Sequence, residues 1–526
     1  MRALLAFFRT PDRPLTKTFA LAIGSLFIGQ LSFAQAGDLD LSFSADGFVF
    51  PNPSPVSDRG NAIAVLPDGR ILMASGAGGN LTAHSFIMCF LADGTPDLTF
   101  GTDGICTTQA LPYNHTWFWK MAIDTEGRII AVGSADSHTI AVRYLSDGTL
   151  DPEFGQAGQV RMILGSSSHA TDVVMDGEGR IVLCADVYNL SGHEFGVLRL
   201  LANGTVDPTF SDDGVVTNAI GVSADTRTVA VYPDGKILVG GNAIYTVPEE
   251  LVRSLLVRYL ENGSLDDSFG VGGIDTLSTA GNNWEMVYDM VIRPDGGIVA
   301  TGQRIIPENS EQSGYLLQLT PNGSLDQTFN LDGQIMIPEL TFATQVTLQP
   351  DGKVLVSGGE VVVERYDTDG TLDMSFGIAG TVTHPSGYAI TGVEGACLQN
   401  DGKLLLCGSV YDGFGIGDNS LMVVRLLTDF DAGIAEFKPL GNVLIYPNPI
   451  ADRAAFKYEL EHTERLAAGL LDAHGKVVRT LFSDRLSPAG QYSEIFDMTG
   501  LPDGSYLLML SNANGSTSIK LTKQAH

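Results

Sequence analysis

Aspartate, arginine and phenylalanine recur in this chain at fixed intervals, and that recurrence limits the chemistry they can do. An aspartate returns at Asp40, Asp97, Asp151, Asp207, Asp266, Asp326 and Asp373, with a phenylalanine three residues later at Phe43, Phe100, Phe154, Phe210, Phe269, Phe329 and Phe376. Arg143, Arg199, Arg258, Arg365 and Arg425 form a third column, in which Cys89 and Gln318 stand at the remaining places. Seven carboxylates could suggest calcium. Each, however, lies in an LDxSF-type segment, where the carboxylate accepts the backbone N–H two residues on and closes an Asx-turn. A column repeated at equivalent places builds a fold rather than one site. A guanidinium also offers a planar fork to a carboxylate. We therefore expect these Asp and Arg residues to be structural, paired within or between repeats.

A more varied set stands ten residues before each turn glycine: Arg59, Trp117, His169, Asp225, Met286, Phe342 and Gly392. With Trp119 and Trp284 nearby, it mixes large aromatics with polar groups, a combination that suits glycans or peptides. Arg59, Trp117, Trp119, His169, Asp225 and Trp284 are the candidate ligand-binding residues; the plain alternative is that about half the aromatics cap the core. Asp172, Asp225, Glu285 and Asp289 lie near this set without an acid/base motif. His84, His115, His138, His169 and His193 match no metal-ligand spacing, so no metal is assigned. Nucleophile elbow, P-loop, dinucleotide fingerprint, HExxH and EF-hand motifs are all missing. No cofactor and no catalytic residue is assigned.

The elements that must hold these residues follow from the repeat. The phenylalanines lie 47–60 residues apart, and a fixed period in the tens of residues marks a repeat architecture. Each unit carries a PDGK-type turn, with glycine at Gly69, Gly127, Gly179, Gly235, Gly296, Gly352 and Gly402, between alternating apolar residues such as TVAVY (228–232) and KILVGG (236–241). That is a tight β-hairpin. A strand follows the phenylalanine, two form the hairpin, and a fourth carries RYL. Four-stranded sheets repeated radially bury both faces. The expected fold is all-β: a seven-bladed propeller of about 56-residue repeats over residues 35–430, then a small Ig-like β-sandwich. Connectivity puts the hairpin turns and the LD-F segments at one end of every sheet. The irregular loops, at 107–120, 134–139, 186–194, 242–253, 304–313 and 409–419, gather at the other. Ligands are placed on the variable-loop face.

Composition supports an exported, turn-rich chain. Of 526 residues, 44% are apolar, 17% charged and 61 are glycine, with formal net charge −30. That charge repels phosphate backbones, which argues against nucleic acid. The five cysteines have no ligand spacing and read as small core residues. Residues 1–34 read as a secretory signal peptide, with Arg2, Arg9, Arg13 and Lys17 before an apolar run and a small-x-small site at 32–34. No transmembrane anchor is expected in the mature chain. Residues 431–442 read as a linker, and 443–526 as some seven short strands.

Two resemblances sharpen this reading. The LDxSFG, QPDGK and RYxxDG landmarks resemble the delta-60 repeat proteins, with drift at TEGRI (125–129), GEGRI (177–181) and RLLTDF (425–430). The tail's YPNP (446–449), DxxGKVV (472–478), GQY (490–492) and LPDGSYLL (501–508) resemble the type A C-terminal sorting domain of the type IX secretion system. That resemblance implies recognition of 443–526 by the type IX machinery, passage through the outer membrane, and a product held at the outer cell surface or released. The expected function is a secreted or surface-held, non-enzymatic propeller that binds a glycan or protein, or serves as an adhesion scaffold. The alternative is a secreted polysaccharide hydrolase or lyase working at the channel mouth.

Overall fold

The computed structural model describes residues 35–524 except 52–57, 78–84, 109–110, 114, 191, 247–250, 278–282, 360–361, 384–388, 412–418, 429–443, 447–449, 461–463, 472–476 and 513–514. The signal segment, the linker, His84, Tyr388, Phe414 and most of YPNP therefore lie outside the described residues. The chain divides into two compact units, residues 35–428 and 429–526.

The first unit is a seven-bladed propeller of antiparallel four-stranded sheets. The inner strands are Asp58–Val65, Thr116–Ile123, Ser167–Met175, Ser223–Val231, Trp284–Ile292, Ala343–Leu348 and Ala389–Leu398. Each inner strand touches the inner strands of both neighbouring blades, and the first touches the seventh, so the seven surround a common axis. Blade 4 shows the order outward: Ser223–Val231, Ile237–Tyr245, Leu251–Tyr259 and Ile274–Leu277. The PDGK turn joins its first two strands. Tyr232 accepts from the Gly235 N–H at 2.9 Å, and Gly235 has φ +84°, a conformation glycine adopts without penalty.

The grouping of strands differs from the sequence expectation by one. The strand after each phenylalanine does not open a new blade. It pairs with the preceding RYL strand as the outer strand of the same sheet: Val215–Asn218 lies on Gly192–Leu200 in blade 3. Repeats and blades are thus offset, and the offset closes the ring. Phe48–Val49, near the start of the propeller, pairs with Val424 and Val423 and completes blade 7.

Seven hydrophobic cores alternate with the blades. The core between blades 3 and 4, for example, joins Cys184, Phe195 and Val197 to Val229, Val239 and Leu255. A central strand therefore buries both faces, which is why KILVGG reads as a continuous apolar run instead of an alternation. The repeat phenylalanine fills the core on the side of the next blade: Phe43 lies between blades 7 and 1, Phe100 between 1 and 2, Phe210 between 3 and 4. The glycine of each RYxxDG-type turn seats against the preceding blade's phenylalanine. A Cβ on Gly94 would come within 2.8 Å of the Phe43 ring, and one on Gly204 within 2.8 Å of Phe154.

Among its described residues the second unit has seven strands in two antiparallel sheets of three and four. Phe456, Tyr458 and Phe496 of one sheet and Leu466, Leu470, Leu508 and Leu521 of the other share one core, which makes it a small β-sandwich. Among the described residues no helix is long and apolar enough to cross a membrane. All five cysteines are free thiols. Cys397 opposes Leu405 and Cys407 opposes Gly395 across the blade 7 hairpin.

Candidate functional site

The two ends of the propeller use arginine, aspartate and aromatic side chains differently. At the turn end, Asp207 accepts the Thr209 N–H at 2.9 Å and its hydroxyl at 2.7 Å. Arg199 Nε donates to the other carboxylate oxygen at 2.7 Å, Nη1 donates to the Glu261 carbonyl of blade 4 at 2.6 Å, and the guanidinium lies 4.9 Å over Phe210. Arg143–Asp151, Arg258–Asp266 and Arg365–Asp373 repeat the pair at 2.8 Å, and Arg425–Asp40 at 2.7 Å carries it across the ring closure. Blade 5 substitutes Gln318, which donates to Asp326 at 3.0 Å; in blade 1 Arg70 reaches Asp97 at 3.2 Å in place of Cys89. Burial disfavours the charge on Asp207, but the Thr209 and Arg199 bonds outweigh it and hold the carboxyl below its usual range. Both oxygens of each of these aspartates accept from donors of the protein itself, as in Asp151 with the Glu153 N–H and Arg143.

The loop end holds the varied set. Trp117, His169 and Asp225 start the inner strands of blades 2, 3 and 4. Their rings join others into a ribbon: Trp117–Trp119 at 5.6 Å, Trp119–His169 at 6.2 Å, His169–Tyr188 at 5.6 Å and Tyr188–His193 at 4.2 Å between centroids. All five rings are partly exposed. Register explains the meeting: His169 opposes Asp186, and Tyr188 opposes His193. Gly76 of blade 1 makes room for the first indole, since a Cβ there would come within 2.4 Å of Trp117.

Beside the ribbon stand two histidine–carboxylate contacts. His193 Nδ1 lies 2.8 Å from Asp225 Oδ1, and Asn242 Nδ2 donates to Asp225 Oδ2 at 3.4 Å. This fixes the His193 ring through Nδ1 and leaves Nε2 for another partner. His169 Nε2 is 3.4 Å from Asp186 Oδ2. Burial, then the Arg227 charge, lowers the His169 pKa to about 4; burial, then Asp225, raises that of Asp186 to about 6. His169 is therefore neutral at pH 7, and its contact with Asp186 is no ion pair. Asp186 instead accepts the Thr226 N–H at 2.5 Å and the Thr226 hydroxyl at 2.9 Å. Burial, then Asp186, pushes the Tyr188 phenol up to about 12.

Nearer the axis, every inner strand carries a bulge at the same place, for example between Thr226 and Thr228 and between Val287 and Asp289. The extra residue re-aims the side chains beyond it. Lys120 of blade 2 donates to Gln345 of blade 6 and to the Glu394 carbonyl of blade 7, both at 3.4 Å, so it reaches across the lumen. Its charge opposes, without overcoming, the burial that raises Asp172 and takes Asp289 to about 6. Each of these carboxylates accepts an N–H from the following blade: Asp172 from Val229 and Asp289 from Val346, at 2.9 Å.

Of the six sequence candidates, the structure gathers Trp117, Trp119, His169 and Asp225. Arg59 lies apart, paired with Glu394 at 3.2 Å. Trp284 opens the blade 5 inner strand opposite Ile305. Asp186, Tyr188, Arg227 and Asn242 were missed. Tyr188 and Asp186 sit on a second strand, which the spacing rule did not sample. Arg227 follows the ring position by two residues and is the extra residue of the bulge between Thr226 and Thr228. No group of three or more His, Cys, Asp or Glu suited to a metal occurs among the described residues.

Six stretches, residues 66–100, 127–154, 179–210, 233–269, 293–329 and 349–376, match the family described as a domain of unknown function (DUF5122) beta-propeller. Residues 444–524 match the secretion system C-terminal sorting domain. The chain thus carries repeats that match DUF5122 propellers, followed by a match to a sorting domain. That domain marks the protein for export, to the cell surface or beyond. Each DUF5122 match spans a hairpin turn to a repeat phenylalanine. Trp117, Trp119, His169, Asp225 and Arg227 fall between matched stretches, whereas Asp186, Tyr188, His193 and Asn242 fall within them, so the family pattern covers only part of this site. No curated protein is similar to the chain. Solved structures with some likeness include the polysaccharide lyase Uly1 (14% identity, 72% of this chain and 91% of that one, TM-score 0.45). Others are the acylaminoacyl peptidase of Pyrococcus horikoshii (8%, 78% and 59%, TM-score 0.37) and an endo-arabinase of Bacteroides thetaiotaomicron (11%, 58% and 97%, TM-score 0.25). Likeness at this level reaches no residue of the site.

Proposed function

We propose that the propeller is an exported glycan-binding module whose site is the aromatic ribbon at the loop end of blades 2–4. The observation that carries this is the unbroken run of five partly exposed rings, Trp117 to His193, edged by Asp225, Asn242 and Arg227. Aromatic faces cover the apolar faces of sugar rings, and fixed polar groups at the edge read hydroxyl positions. The signal segment and sorting domain together would take the module across both membranes. A glycan array probed with the mature full-length chain tests this. Trp119→Ala and Tyr188→Ala should each weaken any hit at least tenfold without lowering the melting temperature. Hits that survive both substitutions, or a blank array, would remove the reading.

A second reading is favoured by one observation: the His193–Asp225 bond at 2.8 Å orients an imidazole whose Nε2 faces away from its carboxylate. Such a pair is a general-base arrangement. On this reading the propeller cleaves a polysaccharide, by hydrolysis or elimination, at the channel mouth. Release of reducing ends from a bound polymer, abolished by Asp225→Ala in a folded protein, would replace the first reading with the second.

A further inference from the structure

We infer that the ribbon's ligand is an acidic glycan, with a carboxylate or sulfate group read by Arg227. This rests on the glycan-binding reading above and adds the chemical class. Arginines in this propeller are generally engaged. Arg70, Arg128, Arg143, Arg180, Arg199, Arg258, Arg293, Arg365 and Arg425 each hold a carboxylate, and Arg59 holds Glu394. Arg227 is exposed, and among the described residues it makes no hydrogen bond or ion pair. Arg161 and Arg253 bond to His138 and to the Asn283 carbonyl, and Arg304 is half-buried, so Arg227 differs from them in being exposed as well as unbonded.

The neighbouring carboxylates are occupied by other donors. Asp186 takes the Thr226 N–H and hydroxyl, and Asp225 takes His193 and Asn242. Arg227 is the extra residue of its bulge, and it differs there from three of its counterparts. Asn61, Thr171 and Thr344, at the same bulge, bond to the following blade at Phe118, Thr226 and Val393. Arg227 instead acts electrostatically on His169, Asp186 and Tyr188 of blade 3 and on Tyr288 of blade 5. The two residues before it, Asp225 and Thr226, bond to His193 and Asp186 of blade 3, which puts Arg227 beside the ribbon. A sugar stacked on His169 and Tyr188 would bring a ring substituent to a planar five-donor fork, the geometry that carboxylate and sulfate accept in bidentate fashion.

The test uses the mature full-length chain and matched ligands: an oligogalacturonide against its carboxyl-reduced twin, and sulfated against unsulfated dextran oligosaccharides, by titration calorimetry. The proposal expects one acidic member to bind at least about tenfold more tightly than its neutral twin, the span of a charge-assisted hydrogen bond. The pair that responds tells carboxylate from sulfate. Arg227→Ala should erase that preference with the melting temperature unchanged, and Arg227→Lys should restore part of it. Equal binding of both twins in both pairs, or a preference that survives Arg227→Ala, overturns it. Trp119→Ala separates the two claims. If it abolishes binding of neutral and acidic forms alike while no acid preference exists, the ribbon stands and the anion inference falls. If it changes nothing while Arg227→Ala removes binding, the ribbon reading falls and the anion contact stands.

Discussion

Turn end and loop end of this propeller are made from the same side-chain types, yet one is closed chemistry and the other open. At the turn end Arg143, Arg199, Arg258 and Arg425 each meet an aspartate, a phenylalanine face and a carbonyl of the next blade, as Arg199 does with Asp207, Phe210 and Glu261. At the loop end Arg227 meets no carboxylate, and the aromatic rings face partly outward. The lesson is that repetition and saturation go together. A contact needed in every blade is satisfied within the fold, and a contact found once is available to something else.

Four experiments press on that contrast. The largest effect on stability belongs to Arg199→Ala. It strands Asp207, whose side chain is only 2% exposed, and breaking one side of a buried pair costs about 3–5 kcal/mol. Urea unfolding reads this directly; a loss under about 1 kcal/mol would mean the cluster is ornamental. Next comes pH. Asp186 and Asp289 have folded pKa values near 6, above their unfolded value. Between pH 4 and 6 the folded state therefore holds more protons than the unfolded one. Stability from these two groups rises as pH falls through 6 and levels off near 4. A melting temperature that falls steadily from pH 7 to 4.5 would contradict it. Turn-end carboxylates such as Asp207, held low, act in the opposite sense only below that window.

Smaller still is Gln318→Arg, which would give blade 5 the pairing its neighbours have. A gain of about 1 kcal/mol is expected from a charge-assisted bond to Asp326, and a loss would show that the arginine position is blade-specific. Smallest is Trp119→Ala at the loop end, expected within about 0.5 kcal/mol of wild type in stability, as for surface sites, while ligand binding drops at least tenfold. A large destabilisation there would erase the contrast between the ends.

Much of the turn end was legible in the sequence because every element there repeats. The Asp-to-Phe interval and the turn glycines require the same backbone seven times, so spacing alone revealed them. The loop end was legible only in part. Trp117, His169 and Asp225 were found because they share a distance from the turn glycine. Lys120 was missed because strict two-residue alternation does not survive a bulge, and Arg227 because only aromatics were sought at its position, as in finding Trp119. The sign was present in adjacent polar or aromatic pairs, Trp119-Lys120, Thr171-Asp172, Arg227-Thr228 and Tyr288-Asp289, where an uninterrupted strand would have alternated. Tyr188 and Asp186 needed the register between two strands, which spacing along one strand does not supply. The offset of repeat and blade was hidden for a similar reason: four strands per period can be grouped in more than one way.

Because Phe48 and Val49 find their partners only at Val424 and Val423, a copy truncated before Asn419 is not a slightly shorter disc. It carries an unpaired strand at its beginning and a raw sheet border at Leu404–Tyr411, the kind of border that templates aggregation. Completion is therefore an all-or-nothing property of the polypeptide, and the export signal at 444–524 is reached only after the residues that complete the ring.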